Sequence, residues 1–213
     1  IQYYDKAISL EPTSSNAYYH KGNCFYELEQ YEESMKCFDQ AVSFDPENLD
    51  AYRRKSHCLI WLQRHEEARL VLDKIISLAS NDADVHFTKG KFLKELKEYD
   101  KAIECLDKAI SLKPDDDESY EMKGHCLDGL KKYEEAIVCY EQTISLKPDA
   151  IDAHYMKGCC LKDLGRYEEA IECYKKTISL KPDYAAAYEM KANCFYELQK
   201  YEEVGEEIFP FKR

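Results

Sequence analysis

Apolar residues recur along this chain at three- and four-residue spacing, broken at regular intervals by short polar links. Residues 117–150 show the unit. Tyr120, Lys123, Gly124, Leu127 and Leu130 fall on one face of a helix, and Tyr133, Ala136, Ile137, Tyr140, Ile144 and Leu146 do the same for a second helix. Asp115, Asp116 and Asp117 precede the first helix, where they can cap it and favour its positive N-terminal end. Pro148 follows the second helix and stops it from continuing. The short Lys131-Lys132 link makes the two helices antiparallel neighbours. The pattern predicts an all-α protein built of helix pairs.

Proline sets the register. It stands at 12, 46, 114, 148 and 182, with steps of 34, 68, 34 and 34, and Ser80 occupies the position of the missing one. A fixed period of that length means one small unit stacked on copies of itself. Residues 1–14 then read as the second helix of a truncated repeat, with Tyr4, Ala7, Leu10 and Pro12 in register. Full repeats follow at 15–48, 49–82 (the divergent one), 83–116, 117–150 and 151–184. A partial, degenerate repeat begins at 185 and loses the pattern after Tyr201-Glu202-Glu203; Val204-Gly205 replaces the usual Ala-Ile, and Pro210 should break its second helix. No linker or low-complexity segment separates the copies, so one continuous solenoid is expected.

Each column has a mechanical reading. Gly22, Gly90, Gly124 and Gly158, with Ser56 and Ala192, hold one small position, expected to let two helix backbones approach closely. Glycine costs about 1 kcal/mol against alanine inside a helix, so packing must offset it. Ala68, Ala102, Ala136 and Ala170 form a second small column, with Ser34 and Val204 as variants. Phe38, Leu72, Leu106, Tyr140 and Tyr174 supply bulk opposite. One helix pair has too few such residues to close a core, so neighbouring copies supply the rest.

These columns resemble the tetratricopeptide repeat, whose pattern runs aromatic, Leu-Gly, Tyr, Ala, Phe, Pro; here it reads Tyr120, Lys123-Gly124, Leu127, Ala136, Tyr140, Pro148. The match covers nearly the whole chain. The resemblance implies a right-handed superhelical solenoid of antiparallel helix pairs, whose first helices line a concave groove for an extended peptide or partner helix. Its clearest departure is lysine where the family usually has leucine, at Lys21, Lys55, Lys89, Lys123, Lys157 and Lys191. The expectation is that the aliphatic stem packs while the ammonium reaches water. A cationic ladder that reads a ligand is the alternative. Groove positions carried over from the family make the N-terminal half aromatic and basic and the C-terminal half more acidic, at Glu118, Glu121, Asp128 and Glu189. Aromatics and arginine are the usual anchors of interfaces. The expected partner-binding residues are therefore Tyr19, Asn23, Tyr26, Arg53, Arg54, His57, Trp61, Phe87 and Lys91. The family's clamp for a terminal carboxylate is read as absent. Asn23 fits it, but Tyr19, Arg54, Asp84 and Thr88 stand where its remaining Lys, Asn and Arg residues should be.

Composition narrows the function classes. A formal charge of -12 disfavours non-specific binding to nucleic acid. No apolar run approaches the roughly 18 residues a membrane span needs. Repeat 49–82 differs locally: six basic residues (Arg53, Arg54, Lys55, Arg64, Arg69, Lys74) against five acidic (Asp50, Glu66, Glu67, Asp73, Asp82) give it +1. It is read as a docking point for an acidic partner segment. The ten cysteines fall by column, Cys24, Cys58, Cys126, Cys160 and Cys194 in one and Cys37, Cys105, Cys139 and Cys173 in another, with Cys159 alone. No Cys-x-x-Cys spacing occurs, so core packing of free thiols in a reducing, cytoplasmic compartment is expected, although Cys126/Cys139, Cys24/Cys37 and Cys160/Cys173 could face each other. His57-Cys58 and His125-Cys126 are neighbours about 100° apart on a helix, with histidine toward the groove and cysteine toward the core. No phosphate loop or nucleophile elbow is present. The expectation is a non-enzymatic adaptor for other proteins, in a larger complex, with no cofactor, metal, nucleic acid or membrane insertion. The alternatives are a targeting arm for a catalytic domain beyond this sequence, or an architectural subunit. The chain starts at Ile1, so any targeting signal would lie upstream.

Overall fold

After a nine-residue first helix, thirteen- and fourteen-residue helices alternate through the computed structural model, which describes residues 1–198. They are α1 (Gln2–Leu10), α2 (Ser15–Glu27), α3 (Tyr31–Phe44), α4 (Leu49–Trp61), α5 (His65–Leu78), α6 (Ala83–Glu95), α7 (Tyr99–Leu112), α8 (Asp117–Gly129), α9 (Tyr133–Leu146), α10 (Ile151–Asp163), α11 (Tyr167–Leu180) and α12 (Ala185–Glu197). No strand occurs among the described residues. The expected loss of pattern after Tyr201 and the break at Pro210 lie outside them. The chain divides within α6 into two compact units, Ile1–Phe92 and Leu93–Arg213.

Local chemistry explains where the helices start and stop. Asn48 and Asp116 cap α4 and α8 by accepting from the backbone N–H of Ala51 and Ser119, at 2.9 and 3.1 Å. The second helix of each pair opens with acids such as Glu134 and Glu135 at its positive end. Its last turn closes on a residue pushed into extended backbone by the following proline, as at Lys147 (φ -135°). Ala79, followed by Ser80 instead of proline, ends α5 the same way at φ -136°, so the missing proline does not lengthen that helix. His86 helps hold the turn, its Nε2 lying 2.9 Å from the Ser80 carbonyl, as His154 does at Pro148.

Between paired helices a single residue turns left-handed. Glu29, Gln63, Lys97 and Lys131 sit at φ 56–60°, and Gly165 at 75°. The next backbone N–H then reaches back to a carbonyl five residues earlier, as Lys132 does to Leu127 at 2.9 Å, which satisfies the helix end. Only Gly165 carries the residue type that adopts this conformation without strain.

The core of each unit includes the predicted columns and further residues beside them. In the first, Phe38, Ala41, Ala51, Cys58, Leu59 and Ala68 are fully buried. In the second, one cluster runs from Leu127 through Tyr140, Ala153 and Tyr174 to Phe195. Two columns act differently from expectation. The glycines seat rings: a Cβ on Gly22, Gly124 or Gly158 would stand 2.7 Å from the ring of Phe38, Tyr140 or Tyr174 respectively. The column lysines do not simply reach water. Lys21, Lys55, Lys89, Lys123 and Lys157 pair with Asp5, Asp39, Asp73, Asp107 and Glu141, each sixteen residues back, at 2.5–2.7 Å. This spacing links the first helix of one pair to the second helix of the pair before, and it removes the ligand-reading ladder as a free surface.

The ten cysteines are free thiols, six of them buried. Burial pushes the Cys126, Cys173 and Cys194 thiols up to about 11, so they stay protonated at neutral pH. No helix among the described residues is long and apolar enough to cross a membrane.

Candidate interaction surface

All nine residues expected to bind a partner lie in the first unit, on α2, α4 and α6. Helical spacing puts Tyr19, Asn23 and Tyr26 along one face of α2, and Arg53 and His57 along the matching face of α4. The structure connects some of these and redirects others.

Arg54 and Trp61 anchor a run of cation and rings. The Arg54 guanidinium lies over the Tyr26 ring at 5.0 Å. Tyr26 meets Tyr31 edge-on at 5.5 Å, and Tyr31 stacks on Trp61 at 5.9 Å with the planes 3° apart. Trp61 remains 65% exposed, so the stack covers one face of the indole and leaves the other open. Tyr31, the first residue of α3, was not singled out by groove register. The pattern signal that could have found it is the aromatic that opens the second helix of most repeats.

The basic repeat resolves into two kinds of cation. Arg53 pairs with Asp82 and, at 4.0 Å, with Asp50, so it is neutralised within its own repeat. Lys55 pairs with Asp39, and Arg64 forks onto Glu67 with Nε–Oε1 at 2.7 Å. Arg54 and Lys91, by contrast, have no carboxylate within ion-pair reach among the described residues. The expected Arg53–Arg54 docking pair therefore reduces to Arg54, with Lys91 reaching the same area from α6.

His57 sits between them. Its imidazole keeps an open edge, yet protein atoms crowd around it. That desolvation, then the positive charges of Arg54, Lys91 and Arg53, hold it below the ordinary histidine value of 6.5. Beside it lies a recess of about 120 Å³ with an apolar floor of Leu72, Ile75 and Val85. Its rim carries Arg53, His57, Asp84 and Thr88.

The remaining expected residues divide. The Asn23 side-chain oxygen is buried with no hydrogen-bond partner, a polar atom of α2 left unsatisfied. Tyr19 packs inward, 6.0 Å from Phe38 and 5.2 Å from His20. Phe87 is half-buried on α6, one turn before exposed Lys91.

The same register in the second unit is chemically closed. His125, the counterpart of His57, meets the Tyr140 hydroxyl at 3.2 Å and Glu121 at 3.7 Å. This histidine is the main reason the Glu121 carboxyl lies below the usual range. Cys159 accepts from the Tyr174 hydroxyl at 3.6 Å. Cys58 and Cys126 are fully buried beside their histidines, as the spacing predicts. Elsewhere in this unit Lys162, Asp163, Tyr167, Asn193, Tyr196 and Glu197 line a wider recess of about 520 Å³, outside the nine residues expected to bind a partner. No cluster of three or more His, Cys, Asp or Glu among the described residues could hold a metal ion.

Tetratricopeptide repeat models match residues 15–48 and 35–91, and a TPR repeat model matches 161–199. The model for subunit 3 of the anaphase-promoting complex, or cyclosome, matches 70–143 and 95–177. No curated protein matches the chain in sequence. Among solved structures, the fold is similar to that of YrrB, described as a TPR protein with an unusual peptide-binding site: TM-score 0.75, 23% identity, 88% of this chain and 97% of that one. MamA from Desulfovibrio magneticus RS-1 aligns with TM-score 0.75 and 20% identity over 80% of this chain and 96% of its own. Pseudomonas aeruginosa pilF aligns with TM-score 0.72 and 19% identity over 93% of each. With repeat models matching 15–91 and 161–199, the subunit 3 model spanning 70–177 between them, and an all-α helical-repeat fold shared with these structures, the chain belongs to the tetratricopeptide repeat family.

Proposed function

We propose that this protein is a non-enzymatic scaffold that holds a segment of a partner protein against the face formed by α2, α4 and α6. The observation that carries this reading is the run Arg54–Tyr26–Tyr31–Trp61, half-buried up to the exposed Trp61 and flanked by Lys91, in which two cations lack a carboxylate and an indole face is open. Arginine and large aromatics are the residues that most often dominate binding energy. The likeness to YrrB, a TPR protein with an unusual peptide-binding site, and the match to the anaphase-promoting complex subunit 3 model point the same way, toward protein partners and service within a larger assembly. Ten free thiols support a reducing, cytoplasmic setting.

The test is cross-linking mass spectrometry on the protein and three variants, mapping which partner segments join α2, α4 and α6. Arg54→Glu and Trp61→Ala should abolish those cross-links, while reversal of Glu134 and Glu135 to lysine should spare them. An identical cross-link map in all three variants overturns the reading.

A further inference from the structure

Helix pair α4/α5 departs from the packing of α2/α3, α8/α9 and α10/α11 in one specific way, and α6/α7 shares only the exchange of the ring for a leucine, Leu106. At α2/α3, α8/α9 and α10/α11 a glycine on the first helix seats an aromatic ring from the second: Gly22 with Phe38, Gly124 with Tyr140, Gly158 with Tyr174. At α4/α5 the ring is replaced by Leu72 and the glycine by Ser56, both buried. An isobutyl group stops well short of where a phenol ends. The recess beside His57 lies at this place, with Leu72 in its floor. His125 has the Tyr140 hydroxyl as a partner, but His57 makes no such hydrogen bond among the described residues.

The size of the recess restricts what can enter. Whole small-molecule ligands occupy roughly 300–1,000 Å³. An apolar cavity of about 150 Å³ takes a benzene. The 120 Å³ here suits one branched aliphatic side chain and excludes an indole. Charge restricts it further. Arg54 and Lys91 stand near His57 without carboxylates, whereas Asp84 lies on the rim two turns before Lys91 on α6, about 10 Å away. An acidic group is attracted at the Lys91 end and repelled at the Asp84 end.

We infer that this recess is a socket for one aliphatic side chain of an acidic partner segment, seated where α2/α3, α8/α9 and α10/α11 place their own ring, with the segment's carboxylate between Arg54 and Lys91. The inference rests on the scaffold reading above and names the partner's chemistry. The segment runs extended across α4 and α6, its aliphatic side chain over Leu72 and its backbone N–H groups toward Asp84. Arg53 is excluded as the carboxylate's anchor because Asp82 already holds it.

The test uses fluorescence anisotropy on the full chain with a fluorescein-labelled nine-residue peptide carrying one leucine followed by two glutamates. Matched peptides replace the leucine with alanine or tryptophan, or the glutamates with glutamine. The recess is filled by Ser56→Gly together with Leu72→Tyr, which recreates the Gly124–Tyr140 pair. Circular dichroism checks that this variant folds. Filling the recess should weaken the leucine peptide at least tenfold, as should leucine to alanine in the peptide on the native protein. Arg54→Gln with Lys91→Gln should remove most of the salt dependence, and the His57 titration, followed by NMR, should move up when the acidic peptide binds. Undiminished affinity for the filled protein overturns the socket, as does equal binding of the alanine peptide. Equal or tighter binding of the tryptophan or glutamine peptide overturns the assigned occupant. In each of these cases the scaffold reading survives if the Arg54→Glu and Trp61→Ala variants still lose their cross-links. Binding of no peptide in the panel also overturns the socket, and the cross-link map alone then judges the scaffold.

Discussion

Helix pairs α4/α5 and α8/α9 share a backbone plan and differ in what fills it. In α8/α9 the ring of Tyr140 packs on Gly124 and its hydroxyl ends on His125, so the groove-facing histidine is occupied from inside. In α4/α5 the shorter Leu72 leaves His57 without that partner and opens a recess at the surface. The pair with the smaller core residue is also the one that carries Trp61, Arg54 and the shifted His57. A position that completes the core in one repeat can be left incomplete in another, and an incomplete core position facing a groove is a place for a partner's side chain. On the proposed scaffold reading, the repeat that departs most from the consensus is the one expected to receive the partner.

The comparison can be broken most forcefully at the ring itself. Tyr140→Ala should cost about 3–5 kcal/mol, read from the urea unfolding midpoint, because a fully buried aromatic leaves a cavity. A loss under 1 kcal/mol would mean the ring does not complete the pair. Gly124→Ala comes next. Helix propensity alone favours alanine by about 1 kcal/mol, yet a Cβ 2.7 Å from the Tyr140 ring predicts a net loss of about 1–3 kcal/mol. Stabilisation by this substitution would contradict the seating of the ring. At the turns, Gly165→Ala should cost about 1–2 kcal/mol and Lys131→Gly should stabilise, since both positions need left-handed backbone. Equal melting temperatures for these variants and the native protein would remove the turn from the account.

Two smaller effects sharpen the picture. His57 and His154 are both held below 6.5, with burial as the first cause. The unfolded chain therefore binds protons more readily than the folded one in this range. Their contribution to stability is full above pH 6.5 and falls as pH drops through that value toward their folded values. Replacing both with glutamine should flatten this acid-side slope of the unfolding midpoint; an unchanged slope assigns it elsewhere. The smallest effect belongs to the lysine–acid pairs. Lys123 and Asp107 are 25% and 52% exposed, so a double-mutant cycle with Lys123→Met and Asp107→Asn should give a coupling of about 0–1 kcal/mol after solvent screening. A coupling well above that would show the pairs to be a main source of cohesion between helix pairs.

The parts of this protein that were legible in sequence rest on local rules. The three- and four-residue apolar spacing, the acids at helix starts and the prolines after helix ends each act within a turn or two, so a linear reading recovers the helices that the structure contains. The burial of Cys58 and Cys126 beside more exposed histidines follows from the same 100° step. The ion pairs were legible only in part. The lysine column was visible, but its acids sixteen residues back, from Asp5 to Glu141, gain meaning only when the second helix of one pair meets the first helix of the next. The glycine column was visible too, and its purpose was misread, because nothing in the spacing says that a ring rather than a backbone fills the space. Left-handed Lys131 and Glu29 were hidden for a different reason: neither residue type advertises that conformation.

The sequence alone determined the all-α repeat, its family and its period, because helix formation and repeat stacking depend on residue type at fixed intervals. Tertiary structure alone decided which cations remain available. Arg53 and Arg54 are neighbours of one type in one helix, yet one is neutralised by Asp82 and the other lies over the Tyr26 ring with no carboxylate partner among the described residues. It also decided that the exchange of a ring for Leu72 opens a recess. The physical reason is the same in both cases: the fate of a side chain depends on atoms brought to it from other helices, and their distances are set by packing and not by position in the chain.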